Sequence, residues 1–251
     1  MKKLTALFFV LFFVFLLAAC QQQVVLSTAQ GYDVDGPVHS LDIRINAADF
    51  SVQQADRFSV ESNLKYLTVS QQDGVLSIVE DAKSALSYTN AYLILYVPAN
   101  VTFDTVKIFT GAGRLTVNTL IANKLTLELG AGDVQINNLT AIHEADISGG
   151  TGQITIQHGI LQDLELEMGV GELNMAAHLL GESDLSLGVG NVELTLLGGR
   201  DNYRIDIDQG IGSISIDGPV LSDPTHFGSG HNLVQIDAGI GDFKLSFQDP
   251  E

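Results

Sequence analysis

The sequence has no tryptophan, three methionines, five prolines and a single cysteine in 251 residues. One cysteine cannot form an internal disulfide, so an exported fold of this chain must rely on packing alone. Basic residues are also scarce: 12 Lys and Arg stand against 30 Asp and Glu, a formal charge of −18. Such a chain is repelled by nucleic acid and by anionic lipid headgroups. We therefore expect no nucleic-acid partner, and we interpret the spread of acids as a surface kept soluble.

One long apolar run is present, from residue 4 to residue 17, directly after two lysines. It is short for a membrane-spanning helix, which needs about 20 apolar residues, and it fits the apolar part of an export signal. The run ends in Leu-Ala-Ala-Cys, which resembles a bacterial lipobox, in which the cysteine is lipidated and the signal is cut just before it. We predict that residues 1–19 are a lipoprotein signal peptide and that Cys20 carries the lipid, a palmitate type of anchor. The alternative is an ordinary signal cleaved after Ala19.

Removing residues 1–19 removes two lysines, so 10 basic and 30 acidic residues remain, a charge of −20. The lipid would attach the protein to the cell membrane or an outer membrane whatever its charge, with the domain outside the cytoplasm. Residues 20–37 are expected to be the lipidated cysteine and a tether that spans at most about 60 Å. The rest is long enough for one domain with a sizeable core.

One seven-residue motif recurs through most of this domain. Its order is Gly, any residue, Gly, a polar residue, an apolar residue, any residue and an apolar residue. The copies begin at Gly111, Gly130, Gly150, Gly169, Gly188, Gly210 and Gly239, with a degenerate copy at Asn46. Every copy has an apolar residue three positions before its first residue, and others four and six positions after it, as in Leu127, Val134 and Ile136.

Apolar and polar residues alternate within each copy, which is the pattern of a strand with one buried face. The Gly-x-Gly falls where the alternation pauses, so it indicates a turn. This pattern predicts an all-β fold, a single-chain β-solenoid of about 19–20 residues per coil. Seven coils about 4.8 Å apart would form a rod about 34 Å long. A β-sandwich is the alternative, although a sandwich requires no fixed repeat. Further apolar residues are expected to fill a second corner: Leu120, Leu139, Ile160, Leu179 and Val220.

The segment before the repeats has a different pattern. Asp73-Gly74 stands between two alternating runs and predicts a hairpin, and Pro98 is expected to end a long strand. We predict that residues 38–103 are an N-terminal antiparallel cap with a first coil. Residues 104–247 are expected to hold the solenoid repeats of the same domain, followed by a tail at 248–251.

The run YLILYVPANVTFDTVKIFTGAGRLTVNTLIANKLTLELGAGDVQI resembles the bacterial putative-adhesin family of β-helical cell-envelope proteins, as does DNYRIDIDQGIGSISIDG. The resemblance covers residues 38 to 247. It implies a surface-exposed domain, and it brings no catalytic residue to carry over.

Two ligand-binding interpretations of the glycine motif can be weighed against this fold. A phosphate loop needs a helix after the glycines, and each copy is instead followed by another strand. Calcium solenoids stack aspartates on a nine-residue period, which is about half of this one. The residue after the second glycine varies between acidic, neutral and basic types, with Arg114 beside Asp133. We interpret this variation as keeping like charges apart without a metal.

Some large β-helices cleave acidic polysaccharides with converging carboxylates, so enzymatic activity must be considered. Carboxylates expected on outward strand faces are Glu128, Glu165, Glu167, Glu193, Asp206 and Asp208. Outward carboxylates on strands usually form a solvated face, and no cationic cleft is evident. We therefore predict that the protein is not an enzyme and has no catalytic residues.

The spacing of the motif is longest between Gly210 and Gly239, where the chain reads DGPVLSDPTHFGSGHN. Asp223, His226 and His231 could approach one another there as a weak candidate metal site. Because the segment is rich in Gly and Ser, a solvated loop is the preferred interpretation. Three further histidines, His143, His158 and His178, do not align.

Together these features predict a lipid-anchored envelope protein that presents an acidic solenoid as a non-catalytic, adhesin-like scaffold without a cofactor. Its partners would be the membrane, through the anchor, and another envelope protein or a surface polymer. A calcium-binding module and a polysaccharide-active enzyme are the alternatives.

Overall fold

The structure is a computed structural model that describes residues 26–81, 90–221 and 226–249. Over these ranges the chain is almost entirely extended, apart from a 3-10 turn at Arg200–Asn202. No helix in the described ranges is long and apolar enough to cross a membrane. The strands are β1 (Gln30–Asp33), β2 (Ser40–Ala47), β3 (Asp49–Ala55), β4 (Ser59–Ser62), β5 (Leu67–Gln72), β6 (Val75–Glu80), β7 (Tyr92–Pro98), β8 (Phe103–Gln162), β9 (Leu164–Leu180), β10 (Glu182–Leu197), β11 (Tyr203–Ile211), β12 (Ile214–Ile216), β13 (Val220–Leu221), β14 (His226–Phe227), β15 (Asn232–Ile240) and β16 (Phe243–Gln248).

The three apolar columns of the repeat form the core, and none of their side chains is more than 7% exposed. The column three positions before the motif is Ile43, Ile108, Leu127, Ile147, Leu166, Leu185, Ile207 and Ile236. The column four positions after it is Phe50, Leu115, Val134, Ile154, Leu173, Val192, Ile214 and Phe243. The column six positions after it is Val52, Val117, Ile136, Ile156, Met175, Leu194, Ile216 and Leu245. Burying one such side chain contributes about 1.5–3 kcal/mol, so these columns stabilise every coil.

The coils stack as parallel strands in register, and the predicted β-solenoid is confirmed. Glu165 pairs with Asp146 of the coil before it and with Asp184 of the coil after it, so the offset along the chain is the same on both sides. Between residues 125 and 147 the alternation of buried and exposed side chains is interrupted three times, at 130–133, 137–138 and 142–144. Each coil therefore has three straight segments joined by three corners, and the first corner is the Gly-x-Gly.

The expected second-corner residues are partly confirmed. Leu120, Leu139 and Leu179 are buried, but Ile160 is 47% exposed and Leu161 occupies the interior instead. The cause is an irregularity between Ile156 and Gly159, where the register with the next coil slips because this coil holds an extra residue. An extra residue moves every following side chain to the opposite face. The side chain of Val220 lies outside the described residues.

At the C-terminal end, the order of the coils differs from their order along the chain. The last coil, β15 with β16, pairs in parallel with β10 on one side and with β11 and β12 on the other. The chain therefore leaves β10, forms the outer coil first, and returns to fill the gap between them. This return accounts for the longer spacings of the last motifs, which the sequence alone left unexplained.

The N-terminal end has the corresponding arrangement in reverse. The first coil, β2 with β3, lies between β8 and the later coil formed by β6 and β7. Asn46 and Gly111 are therefore direct neighbours in the stack, although strands β3 to β7 lie between them in the sequence. The outer coil has no Gly-x-Gly corner. In its place, Glu80 Oε2 accepts hydrogen bonds from the backbone N–H groups of Asn46, at 2.7 Å, and Ala47, at 3.3 Å.

Antiparallel strands cover both ends of the stack. At the N-terminal end β5 pairs with β6, β4 pairs with β7, and β1 pairs with β4. Asp73 and Gly74 both have positive φ in the β5–β6 turn, which confirms the hairpin, and β7 ends at Pro98 as predicted. Within the segment expected to be a tether, Ser27 donates hydrogen bonds to the Asn63 carbonyl and Gln30–Asp33 form β1.

The C-terminal cover consists of β13 on β12 and β14 on β11. Phe227 of β14 packs edge-on against Phe247, which also packs against Tyr203. Within the segment expected to be a solvated loop, residues 226 and 227 pair with β11 and cover the open edge of the sheet, while the His226 side chain stays exposed. Such coverage satisfies backbone groups that an open solenoid end would leave unpaired.

Candidate binding surface at the glycine corner

The stacked Gly-x-Gly segments form one continuous edge of the solenoid, which we call the glycine corner. A Cβ on Gly130 would overlap the main-chain oxygen of Gly111 in the coil below, and a Cβ on Gly132 would overlap that of Gly113. Gly132 also has a φ of +140°, which side-chain-bearing residues rarely adopt. The glycines are thus required by the close stacking of successive corners, and the chain continues as a strand after them.

Because the first glycine of each motif has no side chain, an open groove of about 930 Å³ runs along the glycine corner. We call it the corner groove. It extends from Arg44 and Phe109 near the N-terminal end to Asp237 near the C-terminal end. With the strands about 4.8 Å apart, its seven coils span about 29 Å. This is the dimension of a site for an elongated ligand, and it crosses the strands at right angles.

Acidic and neutral side chains alternate along the wall of the corner groove. Glu167 is in register with Ser148 on one side and Ser186 on the other, and Ser186 is in register with Asp237. Glu128 lines the next acidic position toward the N-terminal end. From Glu128 to Asp237 the carboxylates therefore recur every second coil, about 10 Å apart, and Asp208 follows in register on the coil next to Asp237. Near the N-terminal end the wall is basic and aromatic instead, because the Arg44 guanidinium stacks 4.3 Å from the ring centre of Phe109.

A second column on the same strands carries like charges on adjacent coils. Asp146, Glu165 and Asp184 are consecutive in register and face outward. In the described part of the chain, none of the three carboxylates has a basic partner within salt-bridge distance. Like charges directly opposite each other are unfavourable on a sheet, so this column lowers stability and creates a negative field beside the corner groove.

The outward carboxylates singled out from the sequence do not form one converging set. Glu128 and Glu167 line the corner groove, and Glu165 stands in the neighbouring column. Glu193 lies beyond the glycine corner and binds Lys244 Nζ at 2.7 Å. Asp206 and Asp208 line a smaller recess of about 490 Å³ near the C-terminal end. Apart from Glu193, these carboxylates recur along one face of the solenoid, which suits binding by repetition.

The residue after the second glycine forms a polar ladder, whose charges alternate in stack order. From the N-terminal end it is Asp49, Arg114, Asp133, Gln153, Glu172, Asn191, Asp242 and Ser213. The insertion of the last coil is what places Asp242 between Asn191 and Ser213. Each acid thereby has neutral or basic neighbours, so like charges are kept apart, as the sequence indicated.

Hydrogen bonds join successive members of the polar ladder. Gln153 Nε2 donates to Glu172 Oε2 at 3.4 Å, and the Ser213 hydroxyl donates to Asp242 Oδ1 at 2.6 Å. The side-chain and backbone hydrogen bonds from Ser213 lower the pKa of Asp242 below its usual value of 3.8, with a smaller contribution from Lys244. Asp242 therefore stays ionised at neutral pH on the flank of the glycine corner.

The middle residue of the Gly-x-Gly was not singled out from the sequence, and it changes type along the stack. It is Ala112, Ala131 and Thr151 in the coils nearer the N-terminal end. Toward the C-terminal end it is, in stack order, Val170, Val189, Ile240 and Ile211, which are exposed by 49, 47, 49 and 71%. We call these four residues the apolar ridge. The signal was present in the sequence as GAG and GTG giving way to GVG and GIG.

Two of the three predicted metal candidates lie within the described residues. His226 Nδ1 lies 2.5 Å from Asp206 Oδ1, and His231 is exposed beside the start of β15. Asp223 lies outside the described residues. Within the described ranges no group of three or more His, Cys, Asp or Glu is arranged to hold a metal ion. Cys20, the predicted lipidation site, also lies outside the described residues.

Comparisons with known proteins point to one family. A model of the family described as Toastrack DUF4097 matches residues 4–246. A solved structure of a "putative adhesin" from Bacteroides fragilis is 14% identical and has a TM-score of 0.47, with 87% of this chain and 96% of that chain covered. Another "putative adhesin", from Parabacteroides distasonis, is 17% identical with a TM-score of 0.43, covering 88% and 96%. No curated protein matches the chain.

Proposed function

From the premise that this chain belongs to the Toastrack DUF4097 family, we propose that it is an exported, lipid-anchored, non-catalytic scaffold that binds an elongated partner along its corner groove. The observation that carries the proposal is the groove itself, which is continuous over seven coils and floored by glycines. Its walls belong to a single hydrogen-bonded sheet, so the binding groups are pre-positioned and little ordering is needed on binding.

The position of the N-terminal strand also suggests how the anchored protein would be oriented relative to the membrane. Ser27 and β1 lie at the N-terminal end of the stack, where β1 pairs with β4. A lipid on Cys20 would be only a few residues away from this end. The anchor would then hold the N-terminal end near the membrane, and the acidic C-terminal coils would extend away from it, toward another envelope protein or a surface polymer.

Site-specific photo-cross-linking in living cells tests the binding surface. We expect a photoreactive residue at Ser186, on the wall of the corner groove, to give adducts that the same residue at Thr116 does not give. Both positions are exposed on strands, but Thr116 lies beyond the glycine corner. Identical adducts from the two positions would contradict the groove as the binding surface. Turnover of a uronate-containing polysaccharide that Glu167→Gln abolishes would contradict a non-catalytic role.

The anchor is tested separately with Cys20→Ala. We expect the substituted protein to be exported but to leave the membrane fraction, because the thiol that carries the lipid is gone. The measurement is fractionation of cells followed by mass determination of the mature N-terminus. An unchanged membrane fraction would show that something other than a lipid on Cys20 attaches the protein.

A further inference from the structure

The apolar ridge holds four of the eight large hydrophobic residues that are exposed on the described surface. Val170 is in register with Val189, Val189 with Ile240, and Ile240 with Ile211. The four side chains therefore stand in one row along the solenoid axis, about 14 Å from first to last. Contiguous exposed apolar rows on soluble domains commonly mark interaction sites, since burying them is favourable.

Carboxylates border the apolar ridge on both sides. On the groove side stand Glu167, Asp237 and Asp208, each two positions before a motif of the same four coils. On the other side stand Glu172 and Asp242 of the polar ladder. A surface that fits this pattern has an apolar stripe flanked by positive charges, because complementary charges steer and orient association.

We propose that the apolar ridge and its acidic borders form a docking surface for a basic amphipathic helix of a partner polypeptide. This inference rests on the proposed function and specifies the chemistry of the partner. An amphipathic helix presents its apolar stripe once per turn, about every 5.4 Å, which nearly matches the spacing of about 4.8 Å between coils. An extended strand presents same-face side chains about 6.8 Å apart and would lose register within two coils.

Two other occupants fit the surface less well. A second copy of this chain would bring the same carboxylates against Glu167, Asp237 and Asp242, so the borders of the two ridges would repel each other. Anionic lipid headgroups would be repelled in the same way. The ridge also lies in the coils farthest from β1, where the described chain begins, and an anchor at that end would hold it away from the membrane.

The test uses the purified mature chain and a synthetic Lys/Leu helix peptide of about four turns, with affinity measured by calorimetry. Two further peptides serve as controls: one of the same composition with its apolar stripe scrambled, and an oligolysine of the same charge. We expect only the amphipathic peptide to bind tightly. Val189→Thr with Ile240→Thr should weaken its binding about tenfold or more, since both side chains would lie at the centre of the interface.

Ile160→Thr is the matched control, because Ile160 is equally exposed but lies away from the glycine corner. It should leave the affinity unchanged. Asp237→Asn with Asp208→Asn should weaken binding and reduce its dependence on salt. Raising the ionic strength from about 0.1 M to about 1 M shortens the screening length from about 10 Å to about 3 Å and should weaken binding to the unsubstituted protein. Circular dichroism checks that each variant is folded.

Equal binding of the scrambled peptide or of oligolysine would overturn the inference, since the ridge would then have no part in recognition. A dimer in sedimentation that the Val189→Thr and Ile240→Thr variant abolishes would identify a second copy as the occupant. Flotation with phosphatidylcholine vesicles that the same variant abolishes would identify a lipid surface. Either result overturns the helix proposal. Groove-specific adducts at Ser186 that persist without peptide binding would leave the proposed function standing and reject the inference alone.

Discussion

Individual residues of this chain are constrained most strongly where coils approach each other without side chains. Gly132 is the clearest case, because both its φ of +140° and the oxygen of Gly113 exclude a Cβ. Gly31, by comparison, has no atom within 4 Å of an added Cβ and no unusual φ. Glycine is therefore required at position 132 and is not required at position 31.

We predict that Gly132→Ala lowers the free energy of unfolding by about 3 kcal/mol or more, through backbone strain and displacement of the neighbouring corner. Gly31→Ala should change it by no more than about 0.5 kcal/mol. Urea denaturation followed by circular dichroism measures both. A similar cost for the two substitutions would show that the corners are not closely stacked.

The polar ladder provides a prediction on protonation. The pKa of Asp242 is lowered chiefly by hydrogen bonds from Ser213, so its stabilising contribution is present above pH 3.8 and is lost as the pH falls through the lower value of the folded state. Ser213→Ala should raise the pKa of Asp242 toward 3.8. Ser186→Ala is the control and should not. Carbon-detected NMR titration measures the carboxyl directly.

At the scale of the strand, the irregularity after Ile156 decides which of two adjacent apolar residues belongs to the core. Leu161 is buried and its neighbour Ile160 is half exposed. The sequence pattern favoured Ile160, because a bulge changes the phase of the alternation without changing its composition. Alternation predicts strands well, but it cannot locate an extra residue in a loosely defined corner.

Substituting Leu161 and Ile160 separately tests which of the two side chains belongs to the core. Leu161→Ala should cost about 2–5 kcal/mol of unfolding free energy, as expected for a buried leucine. Ile160→Ala should change stability by about 0.5 kcal/mol or less, as at exposed positions. Thermal or urea unfolding of the pair is the measurement, and a larger effect for Ile160→Ala would place Ile160 in the core after all.

At the scale of the whole molecule, the sequence predicted the architecture but not the order of the coils. The apolar columns could be predicted because every copy repeats them. For the same reason they cannot specify neighbours: Ile207 and Ile236 are equally suitable beside Leu185. The glycine corner and its ladder of mixed charge were predicted as structural features, without a binding role. The corner groove and the apolar ridge depend on the order in which the coils stack and on which residues occupy the exposed positions. The periodic pattern determines neither of these.

Engineered disulfides can test the coil order, because adjacent coils place paired residues within reach and alternate coils do not. In a Cys20→Ala background, Ser186→Cys with Asp237→Cys should form a disulfide on mild oxidation, since Ser186 and Asp237 are in register on neighbouring strands. Ser186→Cys with Asp208→Cys should not, because two coil spacings, about 10 Å, exceed the usual Cα separation of about 4.4–6.8 Å. Thiol counting distinguishes the two, and the opposite result would place β11 beside β10.

The return of the chain at both ends has a mechanical consequence. In a solenoid stacked in chain order, a terminal coil has one neighbour and can be peeled away by tension, coil after coil. In this protein the coil of β2 and β3 and the coil of β15 and β16 each have hydrogen-bonded strands on both sides. Tension applied to the N-terminus meets only the short β1 before it must rupture two rows of bonds at once. A protein held at one end and loaded at the other would therefore resist extension until a single, higher force is reached.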